Sequence, residues 1–383
     1  MAVHQIVIIG ASFAGLNAAH GLLKKVLPPL STGGKTFKVV QIAPHEEFYW
    51  KIGAPRVLVD PESLPLEKAL LPIAPGFARY SPEQYEFIKA EVTSIDPSAK
   101  TVTTDTSATV HWDSLIIASG TVFSSPIWSI ASGSDALKKA IKDIHERLPS
   151  AESVLVAGGG AGGVETAGEL GYVYGNKKQI TLLSGTTHLL SSLHNQKIGQ
   201  DAASRLKQLG VEVINDNVRV VEHTQAGGKH VLKLSNGETK TVDIYFEAVG
   251  DKPNSKFVPN EWLDEKQRIK TDAHTLRLDV PDVTGVYVFG SVGSYSSGSM
   301  LDIMFASGAL LESIKNDISG QAPGPRTKNI YKKVTSDMMF VPIGPQQGVG
   351  AAFGWKLPSF LIKMAKSKDF MIGNAAKTVE GTA

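Results

Sequence analysis

The chain has 383 residues, 42% of them hydrophobic and 20% charged, with a formal net charge of +2. That length exceeds one ordinary core and predicts two domains or more, and the near-neutral balance argues against a dedicated nucleic-acid binder. There is no cysteine, which excludes disulfides, thiolate metal sites, a Cys nucleophile and a redox-active dithiol.

The opening MAVHQIVIIGASFAGL has no basic stretch ahead of its apolar run, so it reads as a strand entering a turn and not as a secretory signal; Ala2 excludes N-myristoylation. Residues 6–9 (IVII) have the β-branched character of a strand buried on both faces. Residues 10–15 (GASFAG) form a Gly turn, and a helix is predicted over 16–26. Strand, Gly turn and helix together are the setting of a dinucleotide-binding fingerprint. Gly10 permits the sharp turn and Gly15 lets the helix close onto the strand. The helix N-terminus offers N–H groups and a positive dipole end to a pyrophosphate. Ser12 holds the middle glycine position, where its hydroxymethyl crowds the approach and supplies a donor.

The next strand, 37–42 (FKVVQI), ends at Ala43, where an acid would meet the ribose; Glu46 and Glu47 lie just beyond. Trp50, Lys51 and Arg56 follow in FYWKIGAPR. Residues 114–117 (SLII) predict another buried strand, running on to Ser119 and Gly120. A second, cleaner fingerprint comes next: strand 153–157 (SVLVA), a turn with Gly158, Gly160 and Gly163, and a helix over 164–172. Glu165 sits in its first turn, where the helix dipole favours an acid. The following strand, 179–183 (QITLL), ends at Ser184, which neither repels a 2′-phosphate nor binds it strongly. No Arg lies nearby in the sequence to favour NADPH, so NADH and NADPH both stand open. Further on come IYFEAVG, ending at Gly250 before Pro253 and Asn254, and VYVFGSVG, carrying Gly290 and Ser291.

Near the end, apolar residues at 357, 360, 361 and 364 share one helical face, with Lys356, Lys363 and Lys366 on the other side and Pro358 in a first-turn position. From Arg326 onward there are nine Lys/Arg against three Asp/Glu. Such a helix lies in a membrane interface or docks on the protein body. No apolar stretch approaches the ~18–20 residues of a membrane-spanning helix. The histidines show no metal-ligating spacing and no Ser sits in a Gly-x-Ser-x-Gly elbow, so neither a metal centre nor a hydrolase is predicted.

Two fingerprints so arranged resemble the two-dinucleotide-binding-domain flavoproteins, of pyridine nucleotide-disulfide oxidoreductase type. Residues 114–120 are similar to the strand that in this family ends in Ala-Thr-Gly, with Ser119 for Thr; 244–254 resemble its crossover, and 286–291 its third flavin motif. The segments IVIIGASFAGLNAAHGLL, FYWKIGAPR, VLVAGGGAGGVETAGELG and KLPSFLIKMAKSKDFMIGNAAKTVEG resemble fungal apoptosis-inducing-factor-like (AMID-like) proteins, relatives of the ferroptosis-suppressor protein, over essentially the whole chain. The resemblance implies an α/β fold of two Rossmann-like domains: an FAD-binding domain in two pieces, 1–122 and 248–325, an NAD(P)H-binding domain at 123–247, and a C-terminal segment, 326–383, covering the flavin. It implies noncovalent FAD, reduced by NADH or NADPH, with a quinone-like acceptor and peripheral membrane contact through 357–377. Glu165 would approach the rings, Lys377 would be the tail cation beside the flavin, and Trp50, Lys51 and Arg56 would line the isoalloxazine. The expected location is the cytoplasm, at the surface of mitochondrial or other membranes; oligomeric state is open.

Three positions depart from the family pattern: Ser12, Ala43 and Ser291, the last replacing an Asp that bonds the ribityl chain. Losing one charged hydrogen bond costs about 1.5–3 kcal/mol, one to two decades of affinity. Two readings therefore stand at this level. One is an FAD-dependent NAD(P)H:quinone oxidoreductase. The other is a degenerate paralogue with weakened or lost flavin binding, acting as a non-redox enzyme on a specialised metabolite or as a binding protein.

Overall fold

A computed structural model describes residues 3–32, 34–131, 133–320 and 330–382. The expected boundary at 325/326 lies outside the described residues. Two parallel sheets organise the chain. The first has the strand order Val286–Val288, Ser114–Ile117, Val3–Ile9, Thr36–Ala43, Tyr85–Lys89, every neighbouring pair parallel. The second runs Val211–Ile214, Gln179–Leu183, Ser153–Ala157, Ile244–Glu247, again all parallel. Their central strands are apolar on both faces, as sheets covered on both sides require: Ile6, Val7, Ile8, Leu155 and Val156 are fully buried.

Each sheet carries an antiparallel three-stranded meander, spanning Val92–His111 in the first case and Val220–Val242 in the second. The chain leaves the first sheet at Thr121–Val122 and returns at Lys252–Pro253, and these two segments pair antiparallel. So the second sheet is an insertion into the first unit, whose last strand and longest helix (Met300–Ser319) come after the return.

The helix after the first Gly turn runs Phe13–Gly21 and continues as a π-helical turn, Leu22–Val26, and a short helix, Leu27–Ser31. It outlasts the predicted end because the two prolines fall in the first turn of that last piece, where no intrahelical N–H is needed. The second loop's helix, Ala161–Tyr174, stops at Gly175, whose φ is +50°. Near the C-terminus an antiparallel sheet (Met339–Pro342, Gly348–Ala352, Trp355–Lys356) is followed by a helical stretch, Ser359–Ile362 and Lys363–Ser367, and by the helix Gly373–Glu380. This last helix packs on the first unit: His20 stacks on Phe77 and its Nε2 bonds the Val379 carbonyl at 2.7 Å.

Candidate active site

The two Gly loops repeat one device. Gly10 has φ +109° and a Cβ there would run into the Ala118 carbonyl oxygen; Gly158 has φ +134° and a Cβ there would run into that of Ala248. Each loop thus presses against the chain leaving the neighbouring strand, and only glycine fits. This is the point where strand order reverses, the place for a ligand at the strand ends of an α/β sheet. Gln41 fixes the first loop further, its Nε2 donating to the Gly10 carbonyl at 2.9 Å. A Cβ at Gly160 would meet nothing, so the middle of the second loop is open; Ser12 fills the matching place in the first.

A cavity of about 530 Å³ opens beside the second loop, lined by Gly158–Gly160, Gly185, Thr186, Arg219 and Glu247 among others. A narrower slot of about 170 Å³ follows the first loop, lined by Gly10, Ser12, Ala43, Lys51, Ser119, Gly120 and Ser291. At Ala43 and Ser291 the slot wall carries no acid; among the described residues its carboxylate is Glu91, and its lysine is Lys51. The Lys51 side chain is open to solvent, but protein crowds its ammonium, and this burial lowers its pKa against the raising pull of Asp251.

A buried charged cluster sits where the helix Ala161–Tyr174 meets Arg56 and the C-terminal segment. Glu165 and Glu169 stand one turn apart on the helix Ala161–Tyr174, on the same face. Lys366 Nζ lies 2.6 Å from Glu165 Oε1, both groups largely out of solvent. Burial raises the Glu165 carboxyl above the ordinary carboxylate range, and Lys366 opposes that only in part. Arg56 donates from Nε and an Nη to the two Glu169 oxygens, each at 2.9 Å, and to the carbonyls of Ser367 and Lys368. Trp50 is 2% exposed; its Nε1 donates to the Phe370 carbonyl and its ring meets Phe13 and Phe48. Its neighbour Phe370 receives the Arg56 guanidinium over its ring at 4.7 Å.

The expected residues therefore part into groups. Lys51 and the first-loop residues line the slot. Trp50 and Arg56 do not; they point into the core and clamp the C-terminal segment, because their donors are taken by backbone carbonyls and Glu169. Ser184 is fully buried behind Gly159, sharing a hydrogen bond with Thr186. Gly15 and Gly163 pack under their own loops, against the carbonyls of Gly10 and Gly158. Gly250 has φ +78° and is exposed where the chain turns back; Gly290 is buried, its N–H donating to Tyr295. Lys377 is exposed on the last helix, and the cation brought to Glu165 is Lys366. The sequence held the signal: Lys366 stands within KMAKSKDF, and Glu165 and Glu169 have i, i+4 spacing. Arg219, too, is a neighbour of Gly185 only in the fold.

These two loops and their parallel sheets define a protein built to hold two dinucleotides, and the chain belongs to the pyridine nucleotide-disulphide oxidoreductase family, which matches residues 4–312. It is similar to oxidoreductase ptaL of Pestalotiopsis fici, 34% identical over 99% of both chains. It is similar also to apoptosis-inducing factor 1 of Saccharomyces cerevisiae, 25% identical over 95% of each. Its fold matches that of the sulfide:quinone oxidoreductase of Aquifex aeolicus, with a TM-score of 0.70, 18% identity, and 99% and 92% of the two chains covered. The chain is thus a flavin-dependent NAD(P)H oxidoreductase. The family's cofactors are FAD and a pyridine nucleotide, and the loops fit them: each is a Gly cradle at a helix N-terminus beside a cavity.

Proposed function

We propose that this protein passes electrons from NAD(P)H to a quinone-like organic acceptor, with Glu165 and Lys366 handling the proton. The observation that carries this reading is their buried ion pair, set on the nucleotide-loop helix and beneath the C-terminal cover. Bound FAD would supply the chemistry of hydride acceptance and of one- or two-electron release. The Gly10 loop and Lys51 would hold that cofactor, Lys51 as the cation of the slot. Reducing a quinone to a quinol takes two electrons and two protons, and the hydride brings only one of them. Glu165 can carry the second at Oε2, the oxygen that Lys366 does not engage, because burial keeps its carboxyl protonated to higher pH than an ordinary acid. Lys366 neutralises the carboxylate left behind until water returns the proton. No thiol takes part, since the chain has no cysteine.

A quinone partitions into lipid, and the C-terminal segment suits contact with a membrane surface. Among the described residues no helix is long and apolar enough to cross one. The expected apolar face of residues 357–364 points mostly outward: Phe360 is 61% and Met364 75% exposed, while Ile362 is the residue that faces the body. On the adjoining hairpin Phe353 is 67% and Trp355 79% exposed. Lys356 and Lys363 flank them, and the surrounding tail is basic. This combination fits an interfacial contact with anionic lipid.

The test is purification without added cofactor. The protein is expected to absorb near ~450 nm, to release FAD on denaturation, and to oxidise NADH or NADPH when a quinone is supplied. Yellow protein that oxidises nucleotide but reduces no quinone keeps the flavoenzyme and removes the acceptor. Colourless protein that gains no activity with added FAD favours the flavin-free reading that Ser291 and the narrow slot raise.

A further inference from the structure

We infer that the nucleotide taken at the Gly158 loop is NADPH, and that Arg219 is the residue that reads its 2′-phosphate. The inference rests on the reading of that loop as the pyridine-nucleotide site. In a βαβ nucleotide site the adenosine ribose meets the end of the second strand, here Ser184 and Gly185. An acid at that point accepts from a free 2′-OH and repels a phosphate. Here the position is a Ser whose side chain is spent internally: it is fully buried, bonded to Thr186 at 2.9 Å, and a Cβ at Gly159 would run into it.

What covers the strand end instead is a cation. Strand Val211–Ile214 lies beside Gln179–Leu183, with Ile214 opposite Leu183, and the chain leaving it brings Arg219 over Gly185. Arg219 Nε donates to the Gly185 carbonyl at 3.2 Å. A Cβ at Gly185 would press on Arg219 Cγ and Nε at 2.9 Å, so the missing side chain is what lets the arginine lie flat there. Among the described residues Arg219 has no carboxylate partner, and its Nη groups remain free for an anion. The Thr186 hydroxyl lines the same wall. A guanidinium with free N–H groups is the donor best matched to a phosphate dianion. Glu222, three residues on, lines the cavity as well and opposes the phosphate; the arginine beside the strand end outweighs it by position.

The experiment measures affinity, independent of turnover, by calorimetry with NADPH, NADH and 2′,5′-ADP. NADPH is expected to bind the wild-type protein about tenfold or more tightly than NADH, with 2′,5′-ADP competing for its site. Arg219→Ala should lower the NADPH-to-NADH affinity ratio about tenfold to a hundredfold, and Arg219→Lys should restore part of it. Arg219 is exposed, so these variants should fold, which a melting curve checks. Equal wild-type affinities, or a ratio unmoved in Arg219→Ala, overturn the inference and leave the oxidoreductase standing. Binding of neither nucleotide removes the loop as a pyridine-nucleotide site, and this inference with it.

Discussion

At the scale of single residues, the site turns on what burial does to two carboxyls. Glu165 and Glu169 share a helix face, yet they have different partners and hence different work. Burial raises the Glu169 carboxyl too, but both its oxygens are held by a bidentate guanidinium in a fixed geometry. Glu165 faces a single ammonium and keeps a raised pKa, first from burial. The protonated carboxyl is the form that donates, so quinone reduction should be fastest on the acid side and fall as pH rises through the raised value. Glu165→Gln should slow acceptor reduction by about 10²–10⁴-fold and flatten that alkaline limb. Lys366→Met removes the opposing charge, so its limb should move to higher pH. A pH profile of kcat for the three proteins decides it; an alkaline limb retained in Glu165→Gln assigns the proton to another group.

At the scale of elements, the C-terminal hairpin and helix form a cover whose two faces differ. Ile362 and Phe370 pack inward, while Trp355, Phe360 and Met364 face out. Burying one such side chain is worth about 1.5–3 kcal/mol, so a Trp355→Ser/Phe360→Ser double variant should lose about a hundredfold or more in affinity for anionic phospholipid vesicles. Co-sedimentation measures this. Wild-type protein that stays in the supernatant at low salt rules out the lipid contact. The periodicity of residues 357–364 was visible in the sequence, but it gave only a face, not what the face touches. A docked helix and an interfacial one share the same pattern.

At the scale of the molecule, one buried ion pair joins three pieces of chain. Arg56 belongs to the first unit, Glu169 to the inserted one, and the carbonyls of Ser367 and Lys368 to the C-terminal segment. Removing one partner strands a buried charge, so Arg56→Ala should cost about 3–5 kcal/mol in urea unfolding, while Arg56→Met/Glu169→Leu should recover much of the loss. Equal destabilisation by the two variants would point to lost packing in place of an uncompensated charge. The clamp also sets the cover against the Glu165–Lys366 pair, so the single variant should raise KM for nucleotide or acceptor besides lowering the midpoint.

The two Gly turns, their flanking strands and helices, and Glu165 beside the second turn were legible in the sequence, because each depends on residues within one βαβ unit. A sharp turn needs its glycine wherever the unit sits in the fold. The partners of Glu165, Arg56 and Gly185 were not, because pairing across 201, 113 or 34 positions is set by how the sheets and the C-terminal cover pack. Trp50 and Arg56 read as ring-lining residues until packing turned their donors onto Phe370, Ser367 and Glu169. Local chemistry fixes which loops can cradle a phosphate. Only the folded chain decides which distant cation each acid and each loop receives, since charges meet through space and not along the backbone.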